Sequence, residues 1–336
     1  MGLFIKRVSV LFFVPLLILI AVYLLTDPYK TLKPLSLTYF SNTNRDYLSS
    51  ELFVYNYSEQ QYNSYIFGSS RGCGINTYHW LVFLPDGAHQ YLFQAWSETI
   101  TGIDQKLTYI NDHHYPIDNA LVLIDIPGSF SNPQLPHQAI SIKDPRFSKQ
   151  PKWLYQVILF YDFIQKPSEW WFAIRNKLNH KLPEVGFDPI SNDWVANNKE
   201  KDISCPPKKD SLNNLSRKAK AAFLQDYVNN PTISLPESVS IINEHVLGVM
   251  NHIKSIFEGN DTEFKIIVTP GYGYKYPAIS DSDLRLLQTT FGEDNVYDFS
   301  GRMDITLDPN NFSDPNHFGQ NIGWQILEEV YRLGKN

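Results

Sequence analysis

Two short stretches of this chain hold the residue types that nucleophilic catalysis needs. The first is Tyr65-Ile66-Phe67-Gly68-Ser69-Ser70-Arg71-Gly72, and the second is Asp314-Pro315-Asn316-His317. A serine hydroxyl is a weak nucleophile until a neighbouring base takes its proton. A histidine preceded by a carboxylate three residues earlier can be that base, because the carboxylate orients the imidazole and stabilises its charged form. The chemistry implied is acyl transfer through an acyl-serine, with Ser70 as nucleophile, His317 as base and Asp314 as its orienting acid. The apolar run before Gly68 is rich in β-forming residues and too short for a helix. It predicts a buried strand, and a serine just past the carboxyl end of such a strand sits where open α/β sheets hold their ligands.

Together, Ile66-Phe67-Gly68-Ser69-Ser70-Arg71 and Asp314-Pro315-Asn316-His317 resemble the first and last sequence blocks of the SGNH (GDSL-like) hydrolase superfamily. The nearest likeness is to its membrane-anchored branch, which includes the teichoic-acid D-alanyl transfer protein and alginate O-acetylation proteins. In that branch Gly-Ser-Ser replaces the usual Gly-Asp-Ser, and the second serine is catalytic, which corresponds to Ser70. Asp314 and His317 correspond to the Asp-x-x-His block. The resemblance implies a three-layer α/β/α sandwich with a mostly parallel, flavodoxin-like sheet, and neither cofactor nor metal. The superfamily's second block lends a backbone N–H to the oxyanion hole; its glycine is missing here, and Ser97 stands at the corresponding turn. The third block ordinarily supplies an asparagine. Asp125, Ser129 and Asn132 all stand near that place, and the residues do not choose among them. The oxyanion-hole candidates are therefore the Ser70 N–H, Ser97 and Asp125.

The elements that must position these groups are read as follows. Val8 to Thr26 is an uncharged apolar run preceded by Lys6 and Arg7, close to the roughly 20 residues that a spanning helix needs. The basic flank places residues 1–7 in the cytoplasm and the remaining chain outside. No small-residue cleavage motif follows the run, so the expectation is an uncleaved anchor over 8–26 rather than a signal peptide. Residues 27–59, polar and aromatic with Pro28 and Pro34, read as a stalk. Residues 60–336 read as the catalytic domain, with an aromatic-rich helical insertion over about 133–236 that carries Trp153, Trp170, Trp171 and Trp194. That insertion admits sugar stacking or contact with a membrane or partner, besides packing of its own.

Strands are expected at Tyr65–Phe67, His89–Trp96, Ala120–Pro127, Phe264–Thr269 and Asn295–Phe299. Helices are expected over Gly74–Leu84, Glu98–Ile110 with Ser97 as N-cap, Trp153–Ile164, Ser168–Leu178, Pro236–Phe257, Asp281–Phe291 and Gly319–Leu333. Lys181–Leu215 reads as loop. Strands alternating with helices predict the parallel sheet independently of any resemblance. Tyr272, Tyr274 and Tyr276 fall on a loop at the serine's sheet edge.

Composition narrows the function class. At 336 residues with 43% hydrophobic content the chain can bury one good core plus an insertion. Its formal net charge of −6 argues against a nucleic-acid partner. Cys73 and Cys205, the two cysteines, lack metal-ligand spacing. Cys73 reads as a small buried residue in preference to half of a disulfide. Asp112-His113-His114 reads as a surface helix end rather than a metal site.

The function expected is a single-pass protein of the bacterial inner membrane whose domain faces the periplasm. It would act as a serine acyltransferase in O-acylation of a cell-envelope glycan or polymer, beside a membrane-bound O-acyltransferase. Two alternatives stand: an anchored esterase or deacetylase of envelope glycans, and a non-catalytic scaffold for such an acyltransferase.

Overall fold

The computed structural model describes residues 2–29, 31–32, 44–131, 143–168, 170–171, 174–175, 187–194, 240–273, 276 and 278–332. Asn132, Cys205 and Tyr274, most of the expected insertion and much of the expected helix Ser168–Leu178 lie outside the described residues.

In chain order the elements are α1 (Gly2–Thr26), α2 (Arg45–Gln60), β1 (Ser64–Gly68), α3 (Thr77–Leu81), β2 (Gln90–Gln94), α4 (Ile100–Asp112), β3 (Asn119–Ile124), α5 (Pro145–Ser148), α6 (Lys152–Gln165), β4 (Phe187–Asp188), β5 (Asp193–Trp194), α7 (Glu244–Gly259), β6 (Glu263–Val268), α8 (Asp281–Phe291), β7 (Val296–Asp298), α9 (Asp304–Leu307), β8 (Phe312–Asp314), β9 (His317–Phe318) and α10 (Gln320–Arg332). Five strands form one sheet in the order β2-β1-β3-β6-β7, and every neighbouring pair is parallel. Taken by themselves these strands run 2-1-3-4-5, the flavodoxin-like order, whose switch point lies between β1 and β3.

The burial pattern explains the continuous apolar runs. Every residue of β1 and β3 is buried, as expected of a parallel sheet covered on both faces. Side chains alternate across it. Tyr65, Phe67, Val122 and Ile124 join α2, α4 and α7 in one core, whereas Ile66, Leu121 and Leu123 join α3 and α10 in the other. The result is a helix–sheet–helix sandwich.

The stalk expected over 27–59 is corrected in its second half. Residues 45–60 are a helix, α2, started by the Asn44 side chain accepting from the Tyr47 N–H at 3.2 Å. Its Phe53 is fully buried, with six aromatic rings, those of Tyr57, Tyr62, Tyr65, Tyr91, Phe93 and Tyr115, centred 4.9–6.0 Å away. The α/β domain therefore includes α2. This helix runs antiparallel to the sheet. Arg45 at its start bonds Gln94 at the carboxyl end of β2, 2.9 Å away. The Gln60 carbonyl at its finish is 2.5 Å from the His89 ring, before the start of β2.

Three further boundaries move for local reasons. The helix expected at Gly74–Leu84 is a 3-10 turn, Ser70–Gly74, and then α3; Asn76 separates them by capping the N–H groups of Tyr78 and His79. The helix after β2 begins at Ile100 with Thr99, not Ser97, as its cap. Within Lys181–Leu215, β4 and β5 form a hairpin. Its turn covers the open edge of β2, where the Leu92 N–H donates to the Ser191 carbonyl at 3.0 Å and Asn192 donates to the Leu92 carbonyl at 2.7 Å. Such cover prevents a sheet edge from pairing with another chain.

The 25-residue α1 carries the apolar run as one helix; its side chains are continuously described only from Val10. Among the described residues no helix is long and apolar enough to cross a membrane.

Candidate active site

Gly68 ends β1 beneath Leu123, and a Cβ there would stand 3.0 Å from the Leu123 Cβ. A side chain at this position would crowd Leu123 of β3, which glycine avoids. The two serines that follow divide the work. Ser69 caps the 3-10 turn, its Oγ accepting from the Arg71 N–H at 3.1 Å. Ser70 opens that turn with its own hydroxyl directed elsewhere.

That hydroxyl lies 2.9 Å from Nε2 of His317. On the other side of the ring, Nδ1 lies 2.9 and 2.8 Å from the two carboxylate oxygens of Asp314. An ionised carboxylate can only accept, so the proton between them sits on Nδ1 and leaves Nε2 as acceptor for the Ser70 O–H. Burial pushes the Asp314 carboxyl upward, but hydrogen bonds and charge from His317, with the N–H groups of Asn316 and His317, outweigh it and hold the acid below its ordinary range. The antiparallel pair β8–β9 fixes this geometry, Asp314 facing His317 across a bulged register. The Tyr272 N–H donates to the Pro315 carbonyl at 3.0 Å and fastens the turn to the end of β6. Ser70, Asp314 and His317 thus meet at the carboxyl edge of the sheet.

The oxyanion candidates fare unequally. The first N–H groups of a helical turn have no acceptor inside it, so the Ser70 N–H is a donor of the required kind. Ser97 lies exposed on a left-handed turn with φ 54°, and Thr99 has taken the capping role. Asp125 cannot serve as a donor: its carboxylate is itself an acceptor, taking the hydroxyls of Ser69 and of Thr269, the latter at 2.6 Å. This corrects the reading of Asp125 as part of the oxyanion hole. It is instead a tie between the ends of β1, β3 and β6. Ser129 caps the same turn, accepting from the Asp125 N–H at 2.9 Å.

Sequence reasoning passed over Arg71. Its side chain, next in sequence to Ser70, is buried, with the guanidinium 3.2 Å from the Thr269 hydroxyl, 3.9 Å from the Asp125 carboxylate and 4.9 Å from the centre of the Tyr276 ring. The signal lay in the Gly-Ser-Ser-Arg stretch itself, but nothing in it indicates that the arginine folds inward.

Cys73 is buried as expected, but the preference for that reading over half of a disulfide is corrected. Cys73 is disulfide-bonded, and no free cysteine is present among the described residues.

No group of His, Cys, Asp and Glu among the described residues could hold a metal ion. Asp112 pairs with Lys149 at 3.1 Å on the surface, and His113 stacks on Tyr109.

The arrangement can deprotonate a serine, hold the resulting imidazolium and offer an N–H to a developing oxyanion. In comparisons with known proteins, the chain matches no protein-family model and no curated protein.

Proposed function

We propose that this chain is a membrane-anchored serine acyltransferase that works outside the cytoplasmic membrane of a bacterium and acylates hydroxyls of an envelope glycan or polymer. The observation that carries the proposal is the continuous hydrogen-bonded line from Ser70 through His317 to Asp314. In the first half-reaction His317 Nε2 takes the Ser70 proton as Oγ attacks the carbonyl carbon of an ester or thioester donor. The tetrahedral intermediate collapses, the donor's alcohol or thiol leaves with the proton from His317, and an acyl-serine remains. In the second half-reaction a sugar or polyol hydroxyl gives its proton to His317 and attacks the acyl carbon. Ser70 then leaves and recovers its proton. The residues supply every proton transfer without a cofactor.

Two features support the cellular setting. The run within α1 is uncharged and apolar after Lys6 and Arg7, the pattern of an anchor with its following domain outside. A disulfide at Cys73 persists in an oxidising compartment such as the periplasm. A multispanning O-acyltransferase fits as the source of the acyl group, because an anchored enzyme can receive it at the membrane.

The test is the acyl-ester content of the surface polymer in cells carrying wild type or Ser70→Ala at matched level, together with hydrolysis of a chromogenic ester by the purified chain. Polymer ester lost in Ser70→Ala, with probe turnover accelerated by an added glycan acceptor, supports transfer. Turnover indifferent to acceptor supports an esterase. Wild-type ester content in Ser70→Ala rejects the enzyme and leaves a scaffold.

A further inference from the structure

Helix α6, Lys152-Trp-Leu-Tyr-Gln-Val-Ile-Leu-Phe-Tyr-Asp-Phe-Ile-Gln165, has two apolar faces, and among the described residues only one of them is packed. Tyr155, Leu159 and Phe163 are buried. Turned the opposite way, four residues apart, are Trp153, Val157 and Tyr161, which are 68%, 55% and 58% exposed. A helix apolar all round belongs in a core or in lipid, and aromatic residues flanked by lysine are typical of the membrane–water boundary.

The buried face of α6 packs on the end of α1. The ring of Tyr23 lies 5.2 Å from Phe160 and 5.4 Å from Phe163. The Tyr23 hydroxyl donates to Gln156 at 3.2 Å, and that of Tyr29 donates to Asp162 at 2.5 Å. These bonds turn both polar side chains inward; Asp162, the only acid of α6, also takes Lys166 at 2.9 Å. Along the outer stripe the residues from Trp153 to Tyr161 are apolar or aromatic, and the exposed Gln165 ends it. Leu17, on the helix that α6 packs against, is likewise 61% exposed.

We infer that the outer face of α6 lies in the headgroup layer of the bilayer beside the anchor, so that the domain rests on the membrane instead of standing above it. The inference depends on α1 being that anchor. It also gives the domain a direction. Tyr155 of α6 stacks on Tyr47 of α2, with ring centres 5.8 Å apart. Arg45 in the same turn bonds Gln94, whose amide reaches the Ser70 carbonyl at 3.4 Å. The side laid on lipid is therefore the side that carries the catalytic edge, and an acyl group delivered from the membrane would arrive beside Ser70.

The test uses the full chain in nanodiscs of phosphatidylethanolamine and phosphatidylglycerol. A nitroxide is attached in turn at Val157→Cys, Leu17→Cys and Val82→Cys. Val82 is 68% exposed at the end of α3, in the opposite helical layer. Collision with oxygen, which concentrates in lipid, is compared with collision with a water-soluble nickel complex. The expected result is oxygen-dominated relaxation at positions 157 and 17 and nickel-dominated relaxation at position 82. Oxygen dominance at 17 with nickel dominance at 157 overturns the inference and leaves the anchor standing. Shielding from both reagents at 157 also overturns it, by showing a protein cover. Nickel dominance at 17 rejects the anchor itself, and the inference falls with it.

Discussion

His317 Nε2 and Ser70 Oγ stand 2.9 Å apart although 247 positions separate them in the chain. Four parallel strand pairings lie between the two ends of that path. Changes to either residue should therefore act as changes to one device.

Ser70→Ala and His317→Ala should each lower turnover by a factor on the order of 10⁴ to 10⁶, and the double variant should be hardly worse than Ser70→Ala alone. Asp314→Asn should be milder, since the imidazole remains although its Nδ1 proton is less firmly directed. Steady-state rates with an ester probe, on protein whose thermal melt matches wild type, check all four.

Asp125→Asn should reduce activity. The amide would still fill the space, but it would lose charge beside Arg71 and its NH₂ end could not accept the hydroxyl of Ser69 or Thr269. An Asp125 that served as oxyanion donor would behave oppositely, because an amide donates better than a carboxylate. The comparison of kcat between wild type and Asp125→Asn decides the sign.

Lys106 is fully buried between Asp46, at 2.5 Å, and Glu98. Lys143 reaches the same two acids. Lys106→Met should cost about 3–5 kcal/mol, because it strips a partner from buried carboxylates; denaturant titration measures it. The acid side of the stability curve has a definite sign. Burial would raise Asp46, but Lys106 and Lys143 overcome it and bring it from 3.8 to about 2. A depressed acid contributes stability that is complete above its unfolded value and lost as pH falls through the folded one. Melting temperature should drop between roughly pH 4 and pH 2, and the Lys106→Met protein should begin to drop at higher pH.

Gly323→Ala should disable the protein, because a Cβ there would lie 1.8 Å from the carbonyl oxygen of Gly74. That contact joins the first turn of α10, just after the histidine, to the turn that carries the serine. Gly248→Ala, inside α7 with nothing within 4 Å of the added carbon, should instead stabilise by about 0.4–1 kcal/mol. Paired melts and ester-probe rates separate the two cases.

What was legible in the sequence was whatever local physics decides. The β1 run, the Ser280-capped helix Asp281–Phe291 and the Asp314–His317 turn each carry their own signal. Helix α2 was not legible: Leu48, Leu52, Phe53 and Tyr57 are scattered among polar residues, and the pocket that receives Phe53 comes from β1, β2 and Tyr115. The start of α4 was misplaced because Glu98 looks like a first-turn acid, whereas its carboxylate is spent on Lys106 and Lys143. Asp125 and Arg71 failed for a related reason. Their roles are set by partners from β6 and the loop after it, and no spacing within either residue's own stretch encodes those partners.

The distance along the chain between serine and histidine has a consequence in time. A chain leaving the ribosome presents Ser70 long before β8, β9 and α10 exist. Until they arrive, that serine is an ordinary hydroxyl with no base at hand. Ser70 thus has no imidazole beside it until the last helix docks Gly323 against Gly74.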